Sequence, residues 1–500
     1  MGSHYEALLA HLTDLQNVSD AAGLLSWDQE TNMPKGGADA RARQYATLSR
    51  IHHEMHTSET TAHLLEAAAD EIDMVDDDST PARIIRVAQE DYEQATKLPA
   101  NFVAEREKTI ALAHHTWEEA REAQDFSKFQ DTLKKIVEMM MQEAEYRGYE
   151  DTPYDALLGK YERGMKTAQV AEIFAAHRPH LVDLIARIQD APQVDNSLLH
   201  QPFAVDKQRE FALKMVESFG FDFNRGVQAV SAHPFCANFS KNDVRLTTRF
   251  YPEFLNPALF GLMHEAGHGM YEQGIGDALE GLPLGTGTSL AVHESQSRMW
   301  ENIVGRSYGF WTWAYPQLQA SFPQLSDVAL DDFYKAINKV EPSFIRIEAD
   351  EATYNLHIIL RFELEQAIIN GDVNVEDLPD IWNAKFEQFF GITPPNDALG
   401  VLQDVHWSAG LFGYFATYAL GNMLSVQYYN QALQAHPTIP DEIASGKFDT
   451  LLTWLNQNIH QHGRKFTGVE LTERVTGGAI QSDDYMRYLT DKYSDIYGLA

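Results

Sequence analysis

Cysteine is nearly absent from this chain: one, Cys236, stands in 500 residues. A single thiol makes no internal disulfide, so nothing ties the fold to an oxidising compartment. No run approaches the roughly 18 apolar residues needed to cross a bilayer. The opening MGSHYEALLAHL lacks the basic and apolar regions of a signal peptide. Positive charge is scarce as well, 39 Lys and Arg against 73 Asp and Glu, a formal net charge of -34. Such a body repels phosphate backbones, which excludes nucleic acid as an expected partner. These absences predict a cytoplasmic protein with no membrane partner. Long Gly/Ser or Pro linkers and fixed-period repeats are missing too. The chain therefore reads as one domain over residues 1–500, with two helical lobes around a cleft as a variant of that reading.

Strand signals are few. The best is Val244 to Phe250, which alternates and follows the turn-like Ser240-Lys241-Asn242-Asp243. With Pro234 to Phe239 before it, a short hairpin is expected. Helical periodicity dominates elsewhere. Ile84, Ala88, Tyr92 and Ala95 recur at helical steps, as do Phe129, Leu133, Ile136 and Met140, and Phe448, Leu451, Leu455 and Ile459. Such stripes are core positions in most proteins. The fold class expected is mainly α, a large helical body with a small β-sheet.

The richest stretch runs from Asn256 to His268 and contains His264-Glu265-Ala266-Gly267-His268. Asn256 suits an N-cap, Pro257 the first helical position, and Gly274 and Gly276 an end. A helix here sets His264 and His268 one turn apart on one face, a spacing that binds a single Zn2+, with Glu265 within reach of a metal-bound water. The plain alternative is two histidines on a polar face. A third ligand must come from elsewhere, because Tyr271 and Gly274 stand where a metzincin continuation needs Gly and His. A helix beginning near Thr288 carries Glu294 and Glu301, seven apart and on one face. Spacing alone leaves the choice between them open. The glycine-rich Gly285 to Ser289 lacks the lysine and preceding strand of a phosphate loop, and nothing near Cys236 marks a reactive thiolate.

Taken with further motifs, the chain resembles the thermostable (Taq-type) metallocarboxypeptidases. The motifs are His233-Pro234-Phe235, Asp243-Val244-Arg245-Leu246-Thr247, the HExxH segment and His293-Glu294-Ser295. They continue with Ile347-Glu348-Ala349-Asp350 after Arg346 and with Gly400 to Trp407, which holds Gln403, Asp404 and His406. Gly413-Tyr414-Phe415 follows, and Leu25 to Thr31 is similar too. Ala416 stands where many members carry proline.

The resemblance implies a long-cleft helical fold like neurolysin and angiotensin-converting enzyme. It also implies metal-dependent removal of C-terminal residues from peptide substrates, and a homodimer. It makes Glu294 the third ligand beside His264 and His268, for one ion per chain. Zn2+ suits that donor set, and Co2+ or Mn2+ can occupy it. Glu265 becomes the general base, and His406 and Tyr414 donors to the oxyanion. A terminal carboxylate calls for the planar fork of arginine, with Arg346 first and Arg245 second. His233 and Asp350 are expected near the substrate. An endo-oligopeptidase of the same fold and a non-catalytic scaffold are the competing readings.

Overall fold

The first helix shows how the sequence builds the body. Tyr5, Leu8, Leu12 and Leu15 recur every three or four residues along Ser3–Thr31 and are all buried. They close on Leu65 and Ala68 of Glu59–Glu71 and on Ile84, Ile85, Val87 and Ala88 of Thr80–Thr96. The computed structural model describes residues 2–75 and 78–499. Within it the chain divides into two compact units. One holds Met1–Thr96, Asn196–Ile337 and Tyr428–Gly478, and the other Lys97–Asp195, Asn338–Gln427 and Ala479–Ala500.

The first unit contains the small sheet. Strands β1 (Gly226–Val230), β2 (Cys236–Ser240) and β3 (Asp243–Thr248) lie in the order β1-β3-β2. The expected hairpin is β2–β3, antiparallel with Cys236 opposite Leu246. Strand β1 adds to it in parallel, Gly226 opposite Val244, a pairing no local turn signals. The stripe Phe448, Leu451, Leu455 and Ile459 is buried here.

In the second unit, Phe129, Leu133, Ile136 and Met140 form the buried face of Ser127–Arg147. The helix Glu351–Ile369 is buried along most of its length. Among its polar residues, Asn355, His357, Arg361 and Glu365 are fully enclosed. Among the described residues no helix is long and apolar enough to cross a membrane.

Candidate metal centre

The motif helix runs from Asn256 to Gln273, starting one residue earlier than a cap at Asn256 would have it. Leu255 occupies the capping position without a side-chain bond, and Pro257 lies in the first turn. Two glycines let this helix be approached closely from two directions. A Cβ on Gly267 would lie 2.5 Å from the Gln296 carbonyl and 2.6 Å from Ser297 Cα, so the helix Leu290–Arg298 packs backbone to backbone against it. A Cβ on Gly269 would strike Phe221 and Leu246. That second helix starts at Leu290, capped by the Ser289 hydroxyl, which accepts from Val292 N.

The close packing delivers Glu294. Its Oε2 lies 3.4 Å from His264 Nε2 and 3.4 Å from His268 Nε2. A tetrahedral ion with bonds of about 2.0–2.1 Å separates its ligand atoms by about 3.4 Å, so these three atoms fit one metal. Among the described residues this is the group of histidine, cysteine and carboxylate side chains close enough to hold an ion. Glu301 occupies a different place. The α-helix gives way to a π-helical turn over Met299–Val304, and the Glu301 carboxylate meets His264 from behind, Oε2 2.9 Å from Nδ1. Arg298 donates through Nε to Glu294 Oε1 at 2.6 Å and through Nη1 to Glu301 Oε2 at 3.2 Å, fixing both carboxylates.

The electrostatics follow from burial and these neighbours. Burial opposes charge on Glu294, but Arg298 and His264 outweigh it and hold the carboxyl well below its usual range. Burial also disfavours a charged His264, yet Glu294 and a bond to Glu301 raise it to about 10, the same attraction a divalent cation would meet. At His268 burial prevails and lowers the ring to about 3. The two rings differ because His264 has a carboxylate at Nδ1, whereas His268 has the His293 ring, Nδ1 to Nδ1 at 2.6 Å. Glu265 is pushed up to about 7, chiefly by burial, suiting a group that takes and returns a proton near neutrality. Burial with Glu265 and Glu272 nearby raises the Cys236 thiol well above its ordinary range, so it stays protonated.

The other candidates divide between the units. In the first, Arg245 pairs with Asp243 through Nε and Nη2 at 2.8 and 2.9 Å and lies over the Trp27 ring at 4.4 Å. His233 is exposed on the segment leading into β2. In the second, Arg346 is buried, with Nε and Nη2 on Asp404 Oδ1 and Nη1 on the Tyr354 hydroxyl at 3.0 Å. Asp404 also accepts from Arg361 at 2.6 Å. His406 packs on Phe415 and Tyr414 with ring centroids 4.4 and 5.4 Å apart. Burial lowers the His406 ring to about 4; Asp404 partly offsets this, while Arg346 and Arg361 add to the lowering. Asp350 caps Glu351–Ile369, accepting from Ala352 N and Thr353 N at 3.0 Å each.

A profile of the family described as Carboxypeptidase Taq (M32) metallopeptidase matches residues 7–493. Among curated proteins, the chain is 40% identical to thermostable carboxypeptidase 1 of Thermus thermophilus over 99% of each chain. It is 37% identical to carboxypeptidase 1 of Bacillus subtilis over 97% of each. The crystal structure of an M32 carboxypeptidase from Deinococcus radiodurans superposes with a TM-score of 0.97 at 39% identity, covering 99% of this chain and 100% of that one.

The chain belongs to the Taq-type metallocarboxypeptidases.

Within each unit, some residues that place the candidate side chains escape sequence reasoning. Gly267 reads as one of two unspecified positions within the zinc motif. Glu365, on the helix Glu351–Ile369, accepts from the Tyr154 hydroxyl, Trp407 Nε1 and Gly413 N at 2.7, 2.8 and 3.0 Å. It thereby ties the segments carrying His406 and Tyr414 to one helix, and with Glu363 and Gln366 beside it in the sequence nothing local marks it. Gly413, at φ 84°, would bring a Cβ within 2.6 Å of the Leu157–Leu158 backbone. Ala416 opens the helix Ala416–Ala435, where the proline of other members would lose no needed N–H.

Proposed function

We propose that this metallocarboxypeptidase acts through one divalent ion per chain, Zn2+ with Co2+ or Mn2+ as substitutes, held by His264, His268 and Glu294. The supporting observation is the pair of 3.4 Å separations from one glutamate oxygen to two imidazole nitrogens. When bound, such a cation supplies Lewis acidity that brings the pKa of a coordinated water towards about 7. Glu265 takes the proton of the attacking water and passes it to the departing amine. Its carboxyl, raised to about 7, is basic enough for the first task and acidic enough for the second. His406, kept neutral by burial, and Tyr414 donate to the developing oxyanion.

For the terminal carboxylate the order of the two arginines reverses. Arg346 already has a partner on each guanidinium nitrogen and is 5% exposed. Arg245 is paired through Nε and Nη2 alone among the described residues, and its side chain is 19% exposed. Arg245 is therefore assigned to the carboxylate, with His233 near the substrate, while Arg346 and Asp350 hold their segment in shape. A cytoplasmic homodimer completes the reading, with the single cysteine supporting the compartment and the family resemblance the dimer.

The test is a peptide series hydrolysed with free or amidated C-termini. Sequential release of C-terminal residues from free peptides, with amidated ones resisting, is expected. Internal cleavage of amidated peptides at equal rate would point to an endo-oligopeptidase instead.

A further inference from the structure

Behind the metal centre a chain of polar contacts leads away from His268. Its Nδ1 lies 2.6 Å from His293 Nδ1, and His293 Nε2 lies 2.6 Å from Glu272 Oε1. Glu272, itself buried on the motif helix, accepts from Asn238 Nδ2 of β2 at 2.8 Å through its other oxygen. An ionised carboxylate only accepts hydrogen bonds. The proton of a neutral His293 ring therefore sits on Nε2, and its Nδ1 carries a lone pair. That lone pair can only receive a proton held on His268 Nδ1. His268 then presents its own lone pair at Nε2, the atom 3.4 Å from Glu294. His264 reaches the same state more directly, with its Nδ1 against the Glu301 carboxylate.

We infer that His293 and Glu272 are positioning residues that fix the metal-binding tautomer of His268, relaying the carboxylate's effect through a second imidazole. The inference rests on His268 being a ligand. It also explains the glycine-rich Gly285 to Ser289. A Cβ on Gly287 would fall 2.5 Å from His293 Cδ2 and 3.1 Å from Tyr271 Cε1, so this loop can lie against the His293 ring only as glycine. Tyr271 flanks the ring with centroids 5.0 Å apart, and its hydroxyl accepts from Thr288 N at 3.2 Å. Loop, tyrosine and carboxylate together hold His293 in one orientation.

The test is Zn2+ affinity of the full-length enzyme, stripped of metal and titrated in competition with a chromophoric chelator. H293A and G287A are expected to bind Zn2+ about 10–100-fold more weakly, the usual cost of losing a partner behind a ligand. H293N should stay within about threefold of wild type, because the asparagine Oδ1 stands where Nδ1 stood and still accepts. A merely structural role would not separate H293N from H293A. H264A serves as the control for the site itself. If H264A loses Zn2+ while H293A binds like wild type, or H293A and H293N weaken equally, the relay is wrong and the metal site stands. If H264A also binds like wild type, the ligand assignment fails first. Should G287A not fold, the H293A and H293N pair decides alone.

Discussion

At the scale of single residues, the chemistry concentrates on side chains whose partners set their charge. Glu265→Gln removes the proton acceptor and keeps the shape, so kcat should fall by about 10²–10⁴-fold with metal content unchanged; stopped assays beside elemental analysis check both. The two arginines should separate by kinetics. Arg245→Met should raise KM by roughly 10–100-fold, the loss of a charged hydrogen-bonded contact, with little change in melting temperature. Arg346→Met should chiefly lower the melting temperature, because it strands Asp404 beside Arg361 in the interior. Much of this was legible beforehand. The histidines one turn apart and the adjoining glutamate announce their chemistry through residue type and spacing. The choice between Glu294 and Glu301 was not legible, since a seven-residue spacing gives both the same face of an ideal helix. The π-helical turn at Met299–Val304, which no local pattern marks, puts them on opposite sides of His264.

At the scale of elements, the helices were readable from their stripes because burial of one face is what makes them fold. Strand β1 was not, because it pairs in parallel with β3, from which β2 separates it in the sequence. Close approach is equally hidden from a sequence, and Gly267 is the clearest case. Gly267→Ala should cost about 1–3 kcal/mol by overpacking against a backbone that cannot yield, and should loosen metal binding by moving Glu294; thermal unfolding and chelator competition measure these. A second element-scale prediction concerns Glu143, fully enclosed on Ser127–Arg147. Burial opposes its charge, but Lys160, Arg147 and Arg106 outweigh it and bring it to about 2. A depressed carboxylate contributes stability above its unfolded value and loses it as pH falls through the folded one. Glu143→Gln should therefore destabilise the fold by about 3 kcal/mol at pH 7. The deficit should shrink between about pH 4.5 and pH 2, as pH-resolved denaturant melts would show.

At the scale of the whole molecule, net charge shapes what reaches the site. A formal charge of -34 surrounds the protein with a negative potential that draws cationic peptides. The kcat/KM for lysine-rich peptides should fall as salt rises from about 0.01 to 0.5 M, while that for neutral peptides changes little. The account depends above all on where the cation sits. Crystals of the metal-loaded enzyme, measured on either side of the zinc absorption edge, address this directly. The expected result is one anomalous peak per chain, about 2.0–2.2 Å from His264 Nε2, His268 Nε2 and the Glu294 carboxylate. A peak bound elsewhere, or one that persists unmoved in Glu294→Ala, would contradict it.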